Sequence, residues 1–312
     1  MTKVTVKGKG NISATVIADS ISLSGDRLIT FELEYPRFIH SEVMTHRMLS
    51  KNAASSRAIP VLAMIENIKE NTATPVYWGK NQSGMVAKEE LGEVQKQASL
   101  GIWFAARDSA ISHATILHAE GNHKQVVNRA LEPYMMMKTV MTGTEWANLI
   151  WLRDHPDAQP EFKELAGCIV GCIRESRPKL LVPGVWHLPY VNTSVDADGK
   201  QVFFDTSGEE ISLQEAKMIS ASCCAQVSYR KNDDTLEKAC KVYDMLNLDQ
   251  DDVPKHASPV EHQATPMEKP TVTSLFGWEQ GVTHVDRAGY AWSGNLKGWI
   301  QYRKLIPGEA RW

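Results

Sequence analysis

The sequence predicts an α+β chain. Three observations carry that expectation. Residues 1–35 hold β-branched, partly alternating runs, ATVIADSISL and RLITFELEY; residues 86–175 are dominated by helical periodicity; and 183–211 contain Asp198-Gly199 between apolar runs, a hairpin turn signal.

In chain order, a helix is expected after Pro36 with Phe38, Ile39 and Val43 on its inner side, then a short helix around 61–71. A long helix is predicted over 86–119, stopping near Gly121, with a further helical segment carrying Val126, Val127 and Leu131. The spacing Thr142-x-x-Glu145 reads as a capping box opening a helix whose apolar face is Trp146, Leu149 and Ile150. Residues 158–175 are amphipathic, with Phe162, Leu165, Ile169 and Ile173 on one side. After the hairpin, Ser212-x-x-Glu215 and Asp234-x-x-Glu237 are expected to cap two more helices. The tail from 263 is rich in Pro, Gly and aromatics; four of the nine tryptophans fall after residue 277, so it should pack on something.

Bulk properties exclude several classes. The chain has 312 residues, 43% hydrophobic and 23% charged, enough to bury a core without disulfide or metal staples. A net charge of −3 argues against a general nucleic-acid binder. No apolar run reaches the roughly 18 residues that span a bilayer, and the first residues carry no apolar signal-peptide core, so a cytoplasmic protein without membrane partners is expected. The odd set Cys168, Cys172, Cys223, Cys224 and Cys240 suggests reduced thiols. Cys168 and Cys172 share one helix and lack a second ligand pair, so no metal site is expected.

Three blocks carry chemistry. The first runs from His46-Arg47 through Ser50, Asn52, Ser55 and Ser56 to Arg57: guanidiniums, an imidazole and hydroxyls suited to phosphate or a pyrimidine carbonyl, or else a solvated polar loop. The second, Trp146 to Glu161, contains Asn148 and places Arg153 on the apolar face of its own helix. Such a cation needs an anion or several acceptors, and a structural ion pair with Asp or Glu would also serve. The third is His256-Ala-Ser258-Pro-Val-Glu261-His262, whose histidine spacing is poor for a metal and which also reads as a Pro-containing loop. Arg129, in VVNRALEP, is a fourth candidate.

Together these blocks resemble the flavin-dependent thymidylate synthases. Thr45-His46-Arg47, seven residues, then Ser55 is similar to that family's Arg-His-Arg signature, with Asn52 and Arg57 at matching places. The Arg153 stretch resembles Leu-Arg-x-x-x-x-Ala-Gln-x-Glu, Arg129 resembles a nucleotide-binding Arg, and 256–262 resembles a His-x-Thr-Pro-Phe-Glu-His flavin motif. CCAQVSY at 223–229 is similar to the family's Ala-x-Arg-Val-Ser-Tyr/Phe segment. The likeness covers about 29–175 and 212–262, but the last two blocks come after the others, as after one cyclic rotation; phage-borne members have a similar layout. Rotation is physically cheap where chain termini lie close together.

The resemblance implies a mainly antiparallel sheet with packed helices, in one permuted catalytic domain over 1–312. Within it the signature and nucleotide blocks lie at 29–175, a connecting loop and hairpin at 176–211, the flavin-binding block at 212–262 and the tail at 263–312. It implies methylation of dUMP to dTMP with FAD, NADPH and methylenetetrahydrofolate, in a homotetramer with flavin at subunit interfaces. Arg153 and Ser55 would be catalytic. Glu42, Thr45, Ser55, Ser56, Arg57, Arg129 and Arg153 would meet the nucleotide. His46, Arg47, Asn52, Asn148, His256, Ser258 and Glu261 would surround the flavin. No Cys stands in the Pro-Cys-His context of the thymidylate synthases that use a thiolate nucleophile.

The departures are Thr45 for Arg, Ala53 for Glu, Glu42 for Gln and Gln226 for Arg. They leave open a different product, such as a hydroxymethylated pyrimidine nucleotide, or a catalytically silent nucleotide-binding protein. Gln301-Tyr302-Arg303 loosely resembles the Gln-Trp-x-Arg that leads into the family signature. The tail is therefore expected to fold back and supply lost contacts, with Arg303 or Lys297 reaching a phosphate. The alternative is a basic amphipathic helix packed through Trp299 and Tyr302.

Overall fold

In the computed structural model, which describes residues 4–228, 233–250, 253–272 and 277–310, the chain is α+β and its main sheet is largely antiparallel. The sheet begins with β1 (Thr5–Lys7), β2 (Ser13–Ile21) and β3 (Arg27–Pro36). A 3-10 turn (Arg37–Ile39) and the short α1 (His40–Met44) lead to β4 (Ser50–Ala53). Then come α2 (Val61–Glu70), α3 (Glu93–Ala119), α4 (Lys124–Val127), a 3-10 stretch (Asn128–Tyr134) and β5 (Met136–Gly143). Next are α5 (Ala147–Arg153), α6 (Pro160–Glu175) and β6 (Lys179–Leu180). The strand order is β1-β2-β3-β5-β4, with β6 adding to β2 in parallel.

Strand alternation gives this sheet two different faces. On β3, Ile29, Phe31, Leu33 and Tyr35 join the main core with Phe162, Leu165 and Ile169 of α6. Full burial of a side chain such as Phe162 contributes about 2–3 kcal/mol. The alternate residues face a second layer: Leu28 packs with Trp299, Thr30 bonds His187, and Glu32 accepts from Tyr190. That layer holds the hairpin strands β7 (Asn192–Val195), β8 (Gln201–Phe204) and β9 (Glu210–Ile211), then α7 (Leu213–Ala225) and α8 (Leu236–Met245). Gly199, at φ +80°, takes the left-handed position of the turn between β7 and β8. The tail adds β10 (Ala264–Pro266), β11 (His284–Val285), β12 (Ala291–Ser293), β13 (Leu296–Lys297) and β14 (Trp299–Gln301).

Several expectations hold. β2 and β3 fall on the alternating runs, and Ile39 and Val43 are buried as expected. Gly121 at φ +81° follows α3, and Ser212 and Glu215 form the predicted reciprocal cap.

Others are corrected. The long helix starts at Glu93, because residues 86–92 turn back to pair with the preceding loop: Leu91 N–H donates to Trp78 O, and Lys80 N–H to Glu89 O. Thr142 does not cap a helix. It lies in β5, paired with Thr30 on one side and Ser50 on the other, and its hydroxyl is spent on Thr30 and His262. The helical run 86–175 is thus divided by a central strand. Thr235, not Asp234, caps α8, its hydroxyl accepting from Lys238 N–H. The tail around Trp299 and Tyr302 is no amphipathic helix; β14 pairs antiparallel with β10, then a 3-10 turn spans Tyr302–Leu305. Trp299 is fully buried there, and Trp292 nearly so, so the tail does pack.

Candidate functional site

Arg153 is the last residue of α5, and α6 follows closely enough that its guanidinium lies over the Phe162 ring, 4.6 Å from the centroid. Its Nε–H donates to His46 Nε2 at 3.0 Å. The His46 ring stands edge-on to Phe162 and is buried. Burial, then the neighbouring cations Arg153 and Lys51, push this imidazole down to about 4, so it is neutral near pH 7 and can accept that bond. The nearest carboxylate, Glu42, lies 3.7 Å from Arg153 Nη1 and is partly exposed. An inward guanidinium is therefore fixed by an aromatic face and a neutral ring, with only a loose counter-ion.

A cavity of about 280 Å³ opens beside it, lined by Thr45, His46, Arg47, Glu145, Asn148 and Arg153 among others. Thr45 is exposed and donates its hydroxyl to Glu42 O at 2.7 Å. Arg47 is exposed and has no hydrogen-bond or ion-pair partner among the described residues. It also lines a second cavity, of about 360 Å³, with Ser50, Lys51, Glu261, Asn295, Arg303 and Lys304.

Two of the candidate residues, Ser56 and Arg129, meet at Glu132, away from the cavity lined by Thr45 and Arg153. Ser56 Oγ donates to its Oε1 at 2.6 Å and Arg129 Nη1 to the same oxygen at 2.8 Å, while Arg37 lies 3.4 Å from Oε2. Burial alone would raise the Glu132 carboxyl, but the Ser56 bond and the two cations hold it below the usual range. Asn128 ties down the same loop by donating to Ser56 O and Ile59 O. Arg57 is exposed, and Ser55 N–H donates to Ser228 Oγ at 2.8 Å. That bond joins the first block to the Val227-Ser228 segment; Tyr229 of that segment lies outside the described residues.

The third block is close to the first as well. Glu261 faces Arg47, Ser50 and Lys51 across the second cavity. Ser258 is exposed and opens a 3-10 turn, and His256, also exposed, uses its backbone N–H on Leu246 O. Asn52 lies opposite Val140 in the sheet, with its side-chain oxygen buried and unpartnered among the described residues.

The tail folds back onto β4. Gln301 Nε2 donates to Asn295 Oδ1, Glu261 O and Ser50 Oγ, at 3.0, 3.1 and 3.4 Å. Arg303 faces the second cavity but is bound by two carboxylates, Glu261 and Glu309, at 2.5 and 2.6 Å. Lys297 is held near Asp26 and Glu145, over the Tyr290 ring.

Several of these participants carry no signal in sequence alone. Phe162 reads as a core position, Glu132 as part of LEP, and Lys51 as one more polar residue of a loop. A buried chain of bonds is equally hidden: Ser20–His187–Thr30–Thr142–His262, with contacts of 2.7 to 2.9 Å. It crosses β2, β3 and β5 to reach the third block, and His262 Nε2 at its end has no partner among the described residues.

The described residues contain no group of His, Cys, Asp or Glu arranged to hold a metal ion, and no helix long and apolar enough to cross a membrane. No family model matches the chain, and no curated protein does. Among solved structures, the chain is similar in part to a UMP/dUMP methylase, PolB from Streptomyces cacaoi, bound with 5-Br UMP. The match covers 55% of this chain and 92% of that one, with a TM-score of 0.45 and 16% identity.

Proposed function

We propose that this chain is a flavin-dependent methylase of pyrimidine nucleotides, related to the flavin-dependent thymidylate synthases by a rotated block order. The proposed reaction converts dUMP to dTMP with FAD, methylenetetrahydrofolate and NADPH. The observation that carries the reading is Arg153, a guanidinium held on a cavity wall by a neutral imidazole and a phenyl ring. A cation ordered without being neutralised is suited to charge that develops on a bound base. The rotated order is supported by contacts between blocks far apart in sequence: Ser55 with Ser228, and Glu261 across a cavity from Arg47.

The residues present fit a flavin dinucleotide in chemistry. Among the described residues Arg47 has no ion-pair partner and would suit a diphosphate, and the buried Asn52 oxygen has no donor, which an imide N–H would supply. His46, Arg47, Asn52, Asn148, His256, Ser258 and Glu261 would hold it, with Glu261 already engaged by Arg303. Both cavities beside Arg47 are small for a whole dinucleotide, so on this reading other subunits of the homotetramer that the resemblance implies would complete the site. When bound and reduced, the flavin supplies the hydride.

The chain's own residues position and polarise. Arg153 donates to the uracil edge and stabilises negative charge at N3 and O2. His46 accepts from Arg153 and so fixes the fork's direction at no cost to its charge. Ser55, Ser56, Arg57 and Arg129 hold the nucleotide, and Glu132 pre-orders two of these.

Glu42 favours a second reading. It puts a carboxylate beside Arg153 where the resemblance has a glutamine, and a carboxylate near the base can activate water toward a hydroxymethyl product. The test is to purify the protein, record its visible spectrum, and supply dUMP, methylenetetrahydrofolate and NADPH. A flavin spectrum and a product with the mass of dTMP are expected. A hydroxymethyl mass selects the second reading, and a colourless protein without product refutes both.

A further inference from the structure

The buried chain that crosses the sheet has a direction. Ser20 Oγ meets His187 Nδ1 at 2.8 Å, and His187 Nε2 meets Thr30 Oγ1 at 2.9 Å. Thr30 Oγ1 meets Thr142 Oγ1, and Thr142 Oγ1 meets His262 Nδ1, each at 2.7 Å. All five side chains are buried. The backbone holds them in line: Thr30 pairs with Thr142 across β3 and β5, and His187 bridges to Ala264, just beyond His262.

Each hydroxyl and each neutral imidazole carries one bridging hydrogen. Burial pushes both rings down to about 3, so both are neutral near pH 7. Five side chains thus bring five hydrogens to four contacts. A contact with no hydrogen sets lone pair against lone pair, and one with two sets hydrogen against hydrogen. Both are costly where burial keeps water away. The four bonds therefore run in one direction, and the fifth hydrogen lies at one end, on His262 Nε2 or on Ser20 Oγ. In the first case both rings are Nε2–H tautomers; in the second both are Nδ1–H.

The two ends differ. Asn52 Oδ1 and Gln263 Oε1 are buried acceptors without a donor among the described residues. Both border the His262 end. Asn52 lies opposite Val140, on the same face of β5 as Thr142. Gln263 follows His262 directly, and its amide lies against Cys224, which packs on Val140. The other such oxygen among the described residues, on Asn128, belongs to the Ser56 loop. A hydrogen at the His262 end falls where acceptors lack donors, and at the Ser20 end it does not.

We propose that the fifth hydrogen resides on His262 Nε2, which makes His262 a hydrogen-bond donor at the third block, with Thr142, Thr30 and His187 as positioning residues that hold its tautomer. The ligand atom it selects, directly or through one water, is an acceptor: a carbonyl oxygen or an unprotonated ring nitrogen. A protonated nitrogen in that place meets a donor and is disfavoured. The polarity does not rest on the function proposed above; only the identity of the molecule that carries the acceptor does.

The test is 15N solid-state NMR at pH 7 on the full chain labelled at histidine. The signals lost in His187→Gln and in His262→Gln assign the two rings. Both are expected as Nε2–H with a bare Nδ1. Opposite tautomers, or Nδ1–H on both, overturn the proposal. Thr142→Val supplies a readout that packing alone would not move. It leaves both contacts of His187 in place, but Thr30 O–H then has no acceptor ahead of it. The extra hydrogen is better placed at Ser20, and His187 should switch to Nδ1–H. A folded Thr142→Val protein in which His187 keeps Nε2–H shows that the five groups are not one unit. If that variant fails to fold, Ser20→Ala takes its place: removing the far end should leave both rings as Nε2–H, and a switch at His262 overturns the proposal.

Discussion

Arg153 and Arg303 sit in similar surroundings by exposure, with 22% and 27% of each side chain accessible, and each lines a cavity that Arg47 also lines. Their partners differ. Arg153 is held by a neutral imidazole and a phenyl ring, with Glu42 at 3.7 Å. Arg303 is locked between Glu261 and Glu309 at 2.5 and 2.6 Å. The first arrangement spends packing to keep a charge available. The second spends charge to pin the tail onto the third block. A guanidinium's position in a cavity therefore says less about its use than the charge of what orders it.

The largest effect that tests this contrast is on activity. Arg153→Ala is expected to reduce turnover of dUMP by 100-fold or more, on the order of 3 kcal/mol in activation free energy. Stability should change by about 1 kcal/mol, because the pair it loses is loose and the stacked contact is modest. Steady-state kinetics alongside urea denaturation gives both numbers. Near-wild-type turnover breaks the comparison at its first half, and global unfolding would make Arg153 a structural ion-pair partner.

The same principle of neutral partners governs the buried chain through His187 and His262. Burial pushes both imidazoles down to about 3. An unfolded histidine titrates near 6.5, so between these values the unfolded chain binds protons that the native chain does not. The stability conferred by keeping them neutral is complete above pH 6.5 and is lost as pH falls toward 3. Each group contributes up to about 1.4 kcal/mol per pH unit in that window. Urea midpoints should fall by the equivalent of about 4 kcal/mol between pH 7 and pH 5. A flat profile would show that the two rings are not held neutral.

The other half of the comparison is a matter of stability. Arg303→Met leaves Glu261 without its ion-pair partner and Glu309 with Lys304 alone, where these side chains are mostly buried. About 2 kcal/mol of destabilisation is expected, less than for a fully buried pair because part of the charge reaches solvent. Glu261→Gln/Arg303→Met together should recover part of that loss, since the uncompensated carboxylate is reduced. Equal stability of wild type and the single variant would place Arg303 with Arg153 as a cation without structural duty.

What was legible in the sequence follows from range. β2 and β3 were readable because alternation is local, and the Ser212–Glu215 cap because both partners lie within four residues. Thr142-x-x-Glu145 has the same local form, yet Thr142 sits between two strands, β3 and β4, whose pairing outweighs one cap. β14 was read toward a helix because its partner, β10, lies more than thirty residues earlier. At the site, the sequence brought out His46, Arg47 and Glu261 through the resemblance of their blocks to a known family, and Arg153 through helical spacing, and these line the two cavities. It could not bring out Phe162, Glu132 or Lys51, whose significance is a contact made in the fold. Nor could it foresee that Ser56 and Arg129 would be gathered by one carboxylate.

The smallest effect is the most specific to Arg153. Glu42→Gln removes the carboxylate 3.7 Å from its guanidinium while keeping the side chain's shape. Glu42 is more than a third exposed, so the pair is screened, and stability should move by no more than about 0.5 kcal/mol. Ligand binding should respond in the opposite sense from most active-site mutations. With the competing carboxylate gone, an anionic nucleotide meets the full charge of Arg153, and dUMP should bind a few-fold more tightly at low ionic strength. Added salt at about 0.5 M should erase most of that gain, because screening between partly exposed charges acts within a few ångströms at that concentration. If the variant binds dUMP more weakly at every salt concentration, then Glu42 contacts the nucleotide directly. The looseness of its pair with Arg153 would then mark a carboxylate reserved for the ligand, not a weak brake on the cation.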